Sequence, residues 1–309
     1  MSDQIQAARA ERLPDVVHIG LYRAASTFLR GYFSQHPDIY WTRTANYFLR
    51  PEWDRQEPYP ALQEAPGAAK CFVDMFEALA VGQIFGSEVE WEKIAYRPGA
   101  SLADTGVRID PEAVAQRIKT TLPEAKILFV LRNQEDWLRS AYLHHLDRMP
   151  PRTRRFVDFM ETPQGKSVAL AGAFDRTIGA YQGLFGKDRL HVLLVEQLRA
   201  EAEASLRGLC AYFGVPYRAY APEQENWNLG KGVEQGHVVR LSAALRLDSG
   251  RWRLLRPLFR PARRLFAPWL RGDVLSEDEC RMIRAVYAAS NRRSARLLGL
   301  DLATYGYAT

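Results

Sequence analysis

At 309 residues, 47% hydrophobic and 25% charged, the chain can bury a full core as one large domain or as one domain with a subdomain. No stretch reaches the roughly 18 apolar residues of a membrane span, and residues 1–12 are polar and carry acids, unlike a secretory leader. Three scattered cysteines, Cys71, Cys210 and Cys280, lie in apolar stretches and read as reduced, buried thiols, so the expectation is a cytoplasmic protein.

The first predicted element is a β run, Val16 to Ile19, that stops at Gly20. A short loop then carries one cation, Arg23, and two hydroxyls, Ser26 and Thr27, straight into a helix. Phe28, Leu29, Tyr32 and Phe33 set the helical period at i, i+1, i+4 and i+5. A helix N-terminus after a strand offers unpaired N–H groups and the positive end of its macrodipole. That is an anion site, and phosphate is its usual occupant. The spacing is not that of the nucleoside-triphosphate loop G-x-x-x-x-G-K-[ST]: the cation stands three residues before the first hydroxyl, with no second glycine. Taken alone, the loop reads equally well as a plain helix cap.

Within Lys70-Cys71-Phe72-Val73-Asp74-Met75-Phe76, Asp74 ends another β-like run and would project into the crevice beside the first loop. Asp110-Pro111 opens a helix by cap and first-turn proline, with Val114, Ile118 and Leu122 on its buried face. It leads into Lys126–Leu131, a continuous apolar strand of the buried parallel kind. That strand ends at Arg132, and the following helix places Trp137, Ala141 and Leu146 on one side, with Ser140 eight residues after Arg132. Again a cation at a strand's carboxyl end is paired with a hydroxyl on the next helix. Crevices of open α/β sheets lie at those ends. Two such strand ends on one sheet point to a ligand with two separate anionic groups.

Leu190 to Val195 is a further strand, and Leu206, Leu209, Cys210 and Phe213 line a helix that stops at Gly214 and Pro216. Asn226 to Gly232 surrounds Lys231 with small residues, which suits a loop closing over a phosphate or an ordinary solvated turn. Residues 251–271 hold seven arginines and no acid. Seven exceeds the whole-chain net charge of +6, so the remainder is slightly acidic. Trp252, Phe259, Phe266 and Trp269 are interleaved, and Pro257, Pro261 and Pro268 break the stretch into short pieces. Residues 237–275 are therefore read as a basic aromatic helical lid or subdomain over an acceptor pocket. Contact with an anionic membrane through 251–271 is the second reading, helices with solvated arginines and core aromatics remain an open alternative, and nucleic acid comes last because no such motif accompanies the charge. Ser276 to Glu279 forms a capping box for a long last helix whose core stripe would be Met282, Ile283, Val286 and Tyr287. The order of elements predicts a three-layer α/β/α fold with a central parallel sheet and a helical C-terminal part.

Arg23-Ala24-Ala25-Ser26-Thr27-Phe28-Leu29 and Leu131-Arg132-Asn133-Gln134-Glu135-Asp136-Trp137-Leu138-Arg139-Ser140-Ala141-Tyr142-Leu143-His144 resemble two motifs of one family, K-x-G-T-T-x-L and L-R-[ND]-P-x-x-R-x-x-S-x-Y-x-H. The family is the sulfotransferases that use 3′-phosphoadenosine 5′-phosphosulfate (PAPS). Leu194-Val195-Glu196-Gln197-Leu198 is similar to its strand-end Y-E-D-L region. Ser290-Asn291 and the stretch from Leu297 through Tyr307 resemble the closing helix and tail of bacterial members. The resemblance implies a P-loop-like single domain over residues 1–309 that takes PAPS as co-substrate and needs no metal. It implies that the loop from Arg23 through Ala24, Ala25, Ser26, Thr27 and Phe28 holds the 5′-phosphosulfate. It further implies that Arg132 and Ser140 grip the 3′-phosphate and that Lys231 closes over the nucleotide. The acceptor would be a hydroxyl of a small or lipid-like molecule.

The departures bear on the chemistry. Arg23 stands where the family has lysine, and Ala25 where it has glycine. Sulfuryl transfer resembles phosphoryl transfer, with charge building on bridging and equatorial oxygens. Arginine supplies a fixed, multidentate charge for it. It cannot give up a proton, since its pKa lies above about 12, but a phosphate leaving group with a second pKa of about 6 needs little protonation. Many members carry the general base as a glutamate in a K-E-x-x-[YF]-F segment. Here that segment is Trp41 to Phe48, with Arg43 at the lysine position and Thr44 at the glutamate position. Asp74 is the candidate replacement base, the alternative being that it caps a turn. His36, His144 and His145 read as packing residues. Two functions remain: an active sulfotransferase, or a relative that keeps the nucleotide pocket and has lost the chemistry.

Overall fold

The computed structural model describes residues 13–21, 23–43, 69–74, 111–145, 155–219 and 274–309. Five parallel strands form one sheet in the order β2-β3-β1-β4-β5: β1 (Val16–His18), β2 (Ile39–Arg43), β3 (Lys70–Asp74), β4 (Lys126–Leu131) and β5 (Leu190–Leu194). The helices are α1 (Ser26–Ser34), α2 (Pro111–Thr121), α3 (Gln134–His145), α4 (Phe156–Glu161), α5 (Pro163–Ala171), α6 (Phe174–Phe185), α7 (Val195–Ala200), α8 (Ala202–Phe213) and α9 (Glu277–Leu298).

The strand order places the functional end of the sheet. From β1 the chain moves outward one way to β2, and from β3 it crosses back over β1 to β4. Right-handed crossovers in opposite directions put their helices on opposite faces. Aromatic contacts report both layers. Phe33 of α1 and Phe72 of β3 meet Phe213 of α8, with ring centroids 5.0 and 5.5 Å away. On the other face, Phe174 of α6 lies 6.3 Å from both Phe129 of β4 and Trp137 of α3. The result is the expected three-layer α/β/α arrangement, with a crevice where α1 and α3 diverge from the neighbouring strands β1 and β4. Ile127 to Leu131 are all buried to 1% exposure or less, which is why β4 reads as one unbroken apolar run.

Several boundaries shift for physical reasons. β1 is only three residues long, but its ladder with β4 continues: the Ile19 N–H donates to the Leu128 carbonyl and the Leu21 N–H to the Val130 carbonyl, both at 2.9 Å. Val195 opens α7 instead of ending β5. The helix over 111–121 carries Val114 and Ile118 in the core as expected, and the Ser276–Glu279 capping box is formed in both directions. Leu146, Thr44, Lys231 and nearly all of 237–275 lie outside the described residues.

One expectation is corrected. In α9, Ile283 and Tyr287 are buried, but Met282 and Val286 are 49% and 64% exposed. The helix is turned toward Ser290, Asn291 and Ser294, whose polar side chains are buried instead. Hydrogen bonds set that rotation: the Tyr287 hydroxyl donates to the Ala169 carbonyl at 2.7 Å, Ser290 pairs with Asp175, and Asn291 pairs with Gln134. These bonds hold Tyr287, Ser290 and Asn291 inward and leave Met282 and Val286 toward water. None of the three cysteines forms a disulfide, and all are buried. Among the described residues, no helix is long and apolar enough to cross a membrane.

Phe33 joins both the sheet and α8 and has no exposed surface. Phe33→Ala should lower unfolding free energy by about 3–5 kcal/mol in chemical denaturation. A loss below about 1 kcal/mol would show that α1 and α8 do not share this core.

Candidate functional site

The crevice is built from two strand-to-helix turns. In the first, Gly20 takes φ 128, which a residue with a side chain adopts only under strain, so the chain can leave β1 sharply. Arg23 and Ala25 follow at φ 63 and 55, both left-handed without being glycine. Ala25 is the residue before α1 and has no side chain able to cap, and no acid lies in the first turn. The first N–H groups of α1 therefore lack a side-chain cap. Ser26 is half-buried and Thr27 exposed beside them.

In the second turn, β4 ends and Asn133 caps α3, its Oδ1 accepting from the Glu135 N–H at 3.0 Å. The preceding residue, Arg132, has a side chain only 16% exposed. Its Nη1 donates to the Arg23 carbonyl at 3.1 Å, which joins the two turns. Arg23 returns the contact through its side chain: Nε donates to the Ser140 hydroxyl at 3.2 Å. Ser140 is 7% exposed, and a hydroxyl accepting from Arg23 still has its own proton to donate. Arg23, Arg132 and Ser140 thus form one cradle, although 117 residues separate the first from the last.

The electrostatics leave that cradle positive. Asp136 is shared by three guanidiniums: Arg139 at 2.8 Å, Arg199 at 3.6 Å and Arg132 at 3.8 Å. Burial pushes the Arg132 guanidinium below its ordinary pKa, and Arg199 and Arg23 push the same way, while Asp136 and Glu196 oppose them. Arginine still stays charged under such a shift. Arg132 Nε is buried and has no hydrogen-bond partner. A buried donor on a charged group without an acceptor is unfavourable.

The remaining predicted residues fall out as follows. Asp74 ends β3 beside His18 of β1 and Arg43 of β2, which puts its backbone level with Leu128 of β4, short of Arg132 along that strand. The side chain of Phe28 is 1% exposed in the core, which leaves only its backbone to face a ligand. Ala24 is fully buried and its N–H already donates to the Leu21 carbonyl at 3.3 Å. His36 packs as expected, its Nε2 against the Pro216 carbonyl at 2.9 Å and its Nδ1 accepting from the Asp38 N–H at 3.2 Å. Among the described residues, no group of three or more His, Cys, Asp or Glu side chains is arranged to hold a metal ion. Glu196, Asn133 and Tyr307, which surround Arg132, were not singled out by periodicity or charge.

A family model described as "Sulfotransferase family" matches residues 14–219, both turns included. The chain belongs to the sulfotransferase family. No curated protein matches it. Among solved structures it is similar to a sulfotransferase from Alicyclobacillus acidocaldarius, at 20% identity and TM-score 0.47, covering 78% of this chain and 99% of that one. It is similar also to mouse sulfotransferase SULT7A1 complexed with PAP, at 12% identity and TM-score 0.48, covering 100% and 95%. A third is the sulfotransferase domain from the curacin biosynthetic pathway, at 15% identity and TM-score 0.41, covering 72% and 80%. Membership rests on the family match, not on these likenesses of shape.

The left-handed Ala25 gives a direct test of the sulfotransferase loop. Ala25→Gly should raise unfolding free energy by about 1 kcal/mol, because a left-handed non-glycine residue costs roughly that much. Ala25→Val should lower it by at least as much, since a β-branched side chain tolerates the region worse. Destabilisation by glycine would show that the loop does not hold this backbone.

Proposed function

We propose that the chain moves a sulfuryl group from PAPS to a hydroxyl of a small or lipid-like acceptor. The observation that supports this most is the Arg132 guanidinium, joined to Arg23 and through it to Ser140, so that two cations and a hydroxyl from two strand-to-helix turns converge. The residues present fit the donor: a fixed, partly desolvated cation with a hydroxyl suits a phosphate oxygen, and the uncapped start of α1 suits a second anion. When bound, PAPS supplies an activated sulfuryl group and a phosphate leaving group.

In this reading Arg132 and Ser140 bind the 3′-phosphate. Ser26, Thr27 and the first N–H groups of α1 orient the 5′-phosphosulfate. Arg23, between the two turns, holds positive charge where negative charge grows during transfer. Asp74, at the carboxyl end of β3, takes the acceptor's proton as the hydroxyl attacks. Lys231 belongs to the part of the chain that would close over the nucleotide, and 251–271 to the part suited by charge and aromatic content to receive the acceptor. A relative that binds the nucleotide without transferring is the second reading, favoured by Thr44 at the position of the family's glutamate.

Calorimetry with 3′-phosphoadenosine 5′-phosphate (PAP) followed by turnover with labelled PAPS tests both. Binding should be micromolar or tighter, worth about 8 kcal/mol. Arg23→Ala should reduce kcat far more than donor affinity, and Arg23→Lys should keep substantial turnover. Asp74→Asn should lower kcat by about 10²- to 10⁴-fold. Absence of PAP binding at millimolar concentration would refute the donor; binding without transfer to any hydroxyl would select the second reading.

A further inference from the structure

Residues 301–309 reach back from α9 to the turn that carries Arg132, and they do so through hydrogen bonds rather than apolar packing alone. Asn133 Nδ2 donates to the Gly306 carbonyl at 2.6 Å. The Tyr307 hydroxyl donates to Glu196 Oε2 at 2.9 Å, while Glu196 Oε1 accepts from the Asn133 N–H, also at 2.9 Å. Asn291 Nδ2 donates to the Ala308 carbonyl at 2.8 Å, and Asn291 Oδ1 accepts from Gln134 Nε2 at 2.6 Å. Gln134 Nε2 is fixed from a second side by the Gly172 carbonyl at 3.1 Å. The two residues that follow Arg132 are therefore each tied, directly or through one side chain, to this segment.

We propose that 306–308 act as a strap that positions Arg132 for its anion. Three features support it. Asn291 and Gln134 are 0% and 3% exposed and Tyr307 is 3% exposed, so water does not readily substitute for the bonds these three make. Glu196 serves two masters at once, one oxygen on the turn and the other on the strap, so moving Tyr307 moves the acceptor of the Asn133 N–H. Gly306 holds φ 80, a left-handed geometry that turns its carbonyl onto Asn133. Tyr307, Asn291 and Glu196 are positioning residues. They act through Arg132, and the inference rests on the reading of Arg132 given above.

The test uses the full chain, Tyr307→Phe, Asn133→Ser and deletion of 306–309. Phenylalanine keeps the ring beside Phe174 and removes only the hydroxyl; serine retains the α3 cap and removes only the link to Gly306. Amide exchange without ligand should quicken over residues 132–140 in each variant while residues 16–34 keep their rates. The Kd for PAP should rise about 3- to 10-fold for each point variant, as for one lost hydrogen bond, with kcat at saturating donor little changed. Uniform acceleration across the chain, or unchanged exchange over 132–140, would overturn the strap, and the point variants decide this if the deletion fails to fold. A wild-type chain that binds no PAP would overturn the donor reading instead, and the exchange measurement separates the two failures.

Discussion

A guanidinium held at the carboxyl end of β4, mostly out of water, is the constraint on which the site depends. Removing a charge from water is unfavourable unless partners replace the hydration. Arg132 has the Arg23 carbonyl and a distant, shared carboxylate on Asp136. Asp136 is also engaged by Arg139 and Arg199, so it cannot neutralise any one of them fully. The local balance stays positive, and one N–H of Arg132 stays without an acceptor. That combination persists because the surrounding turn is held by its own hydrogen bonds.

The same logic explains the first loop. Arg23 and Ala25 adopt backbone angles that glycine would take without strain. The strain is held by the ladder between Leu21 and β4 and by the bonds from Arg23 to Arg132 and Ser140. The two loops are therefore not independent of one another. Each supplies a hydrogen-bond partner to the other, so the spacing between them is fixed before a ligand binds, and preorganisation of this kind lowers the entropy lost on binding.

Much of this was legible in the sequence because it depends on local pattern. Lys126–Leu131 announces a doubly covered strand by its unbroken apolar run, and the Ser276–Glu279 spacing announces a helix start. Arg132 and Ser140 stand out as polar groups at fixed places beside such elements. Contacts between distant polar residues carry no such period. Glu196, Tyr307 and Asn291 stand in segments that resemble the family, but only the fold shows that they come within hydrogen-bond distance of the β4–α3 turn and its neighbours. The error at Met282 and Val286 has the same origin: an apolar stripe gives the mean direction of a helix face, whereas buried bonds at Tyr287, Ser290 and Asn291 fix its rotation.

The central claim is that Arg132 and its neighbours recognise a phosphate that distinguishes the donor nucleotide from simpler ones. Calorimetric comparison of PAP with adenosine 5′-phosphate, which lacks the 3′-phosphate, isolates that contact in the wild type and in Arg132→Ala. Charge-assisted hydrogen bonds of about 1.5–3 kcal/mol predict that the wild type binds PAP at least about tenfold more tightly, and that the difference largely disappears in the variant. Equal affinity for the two nucleotides in the wild type, or a preference for PAP that survives loss of Arg132, would contradict the account.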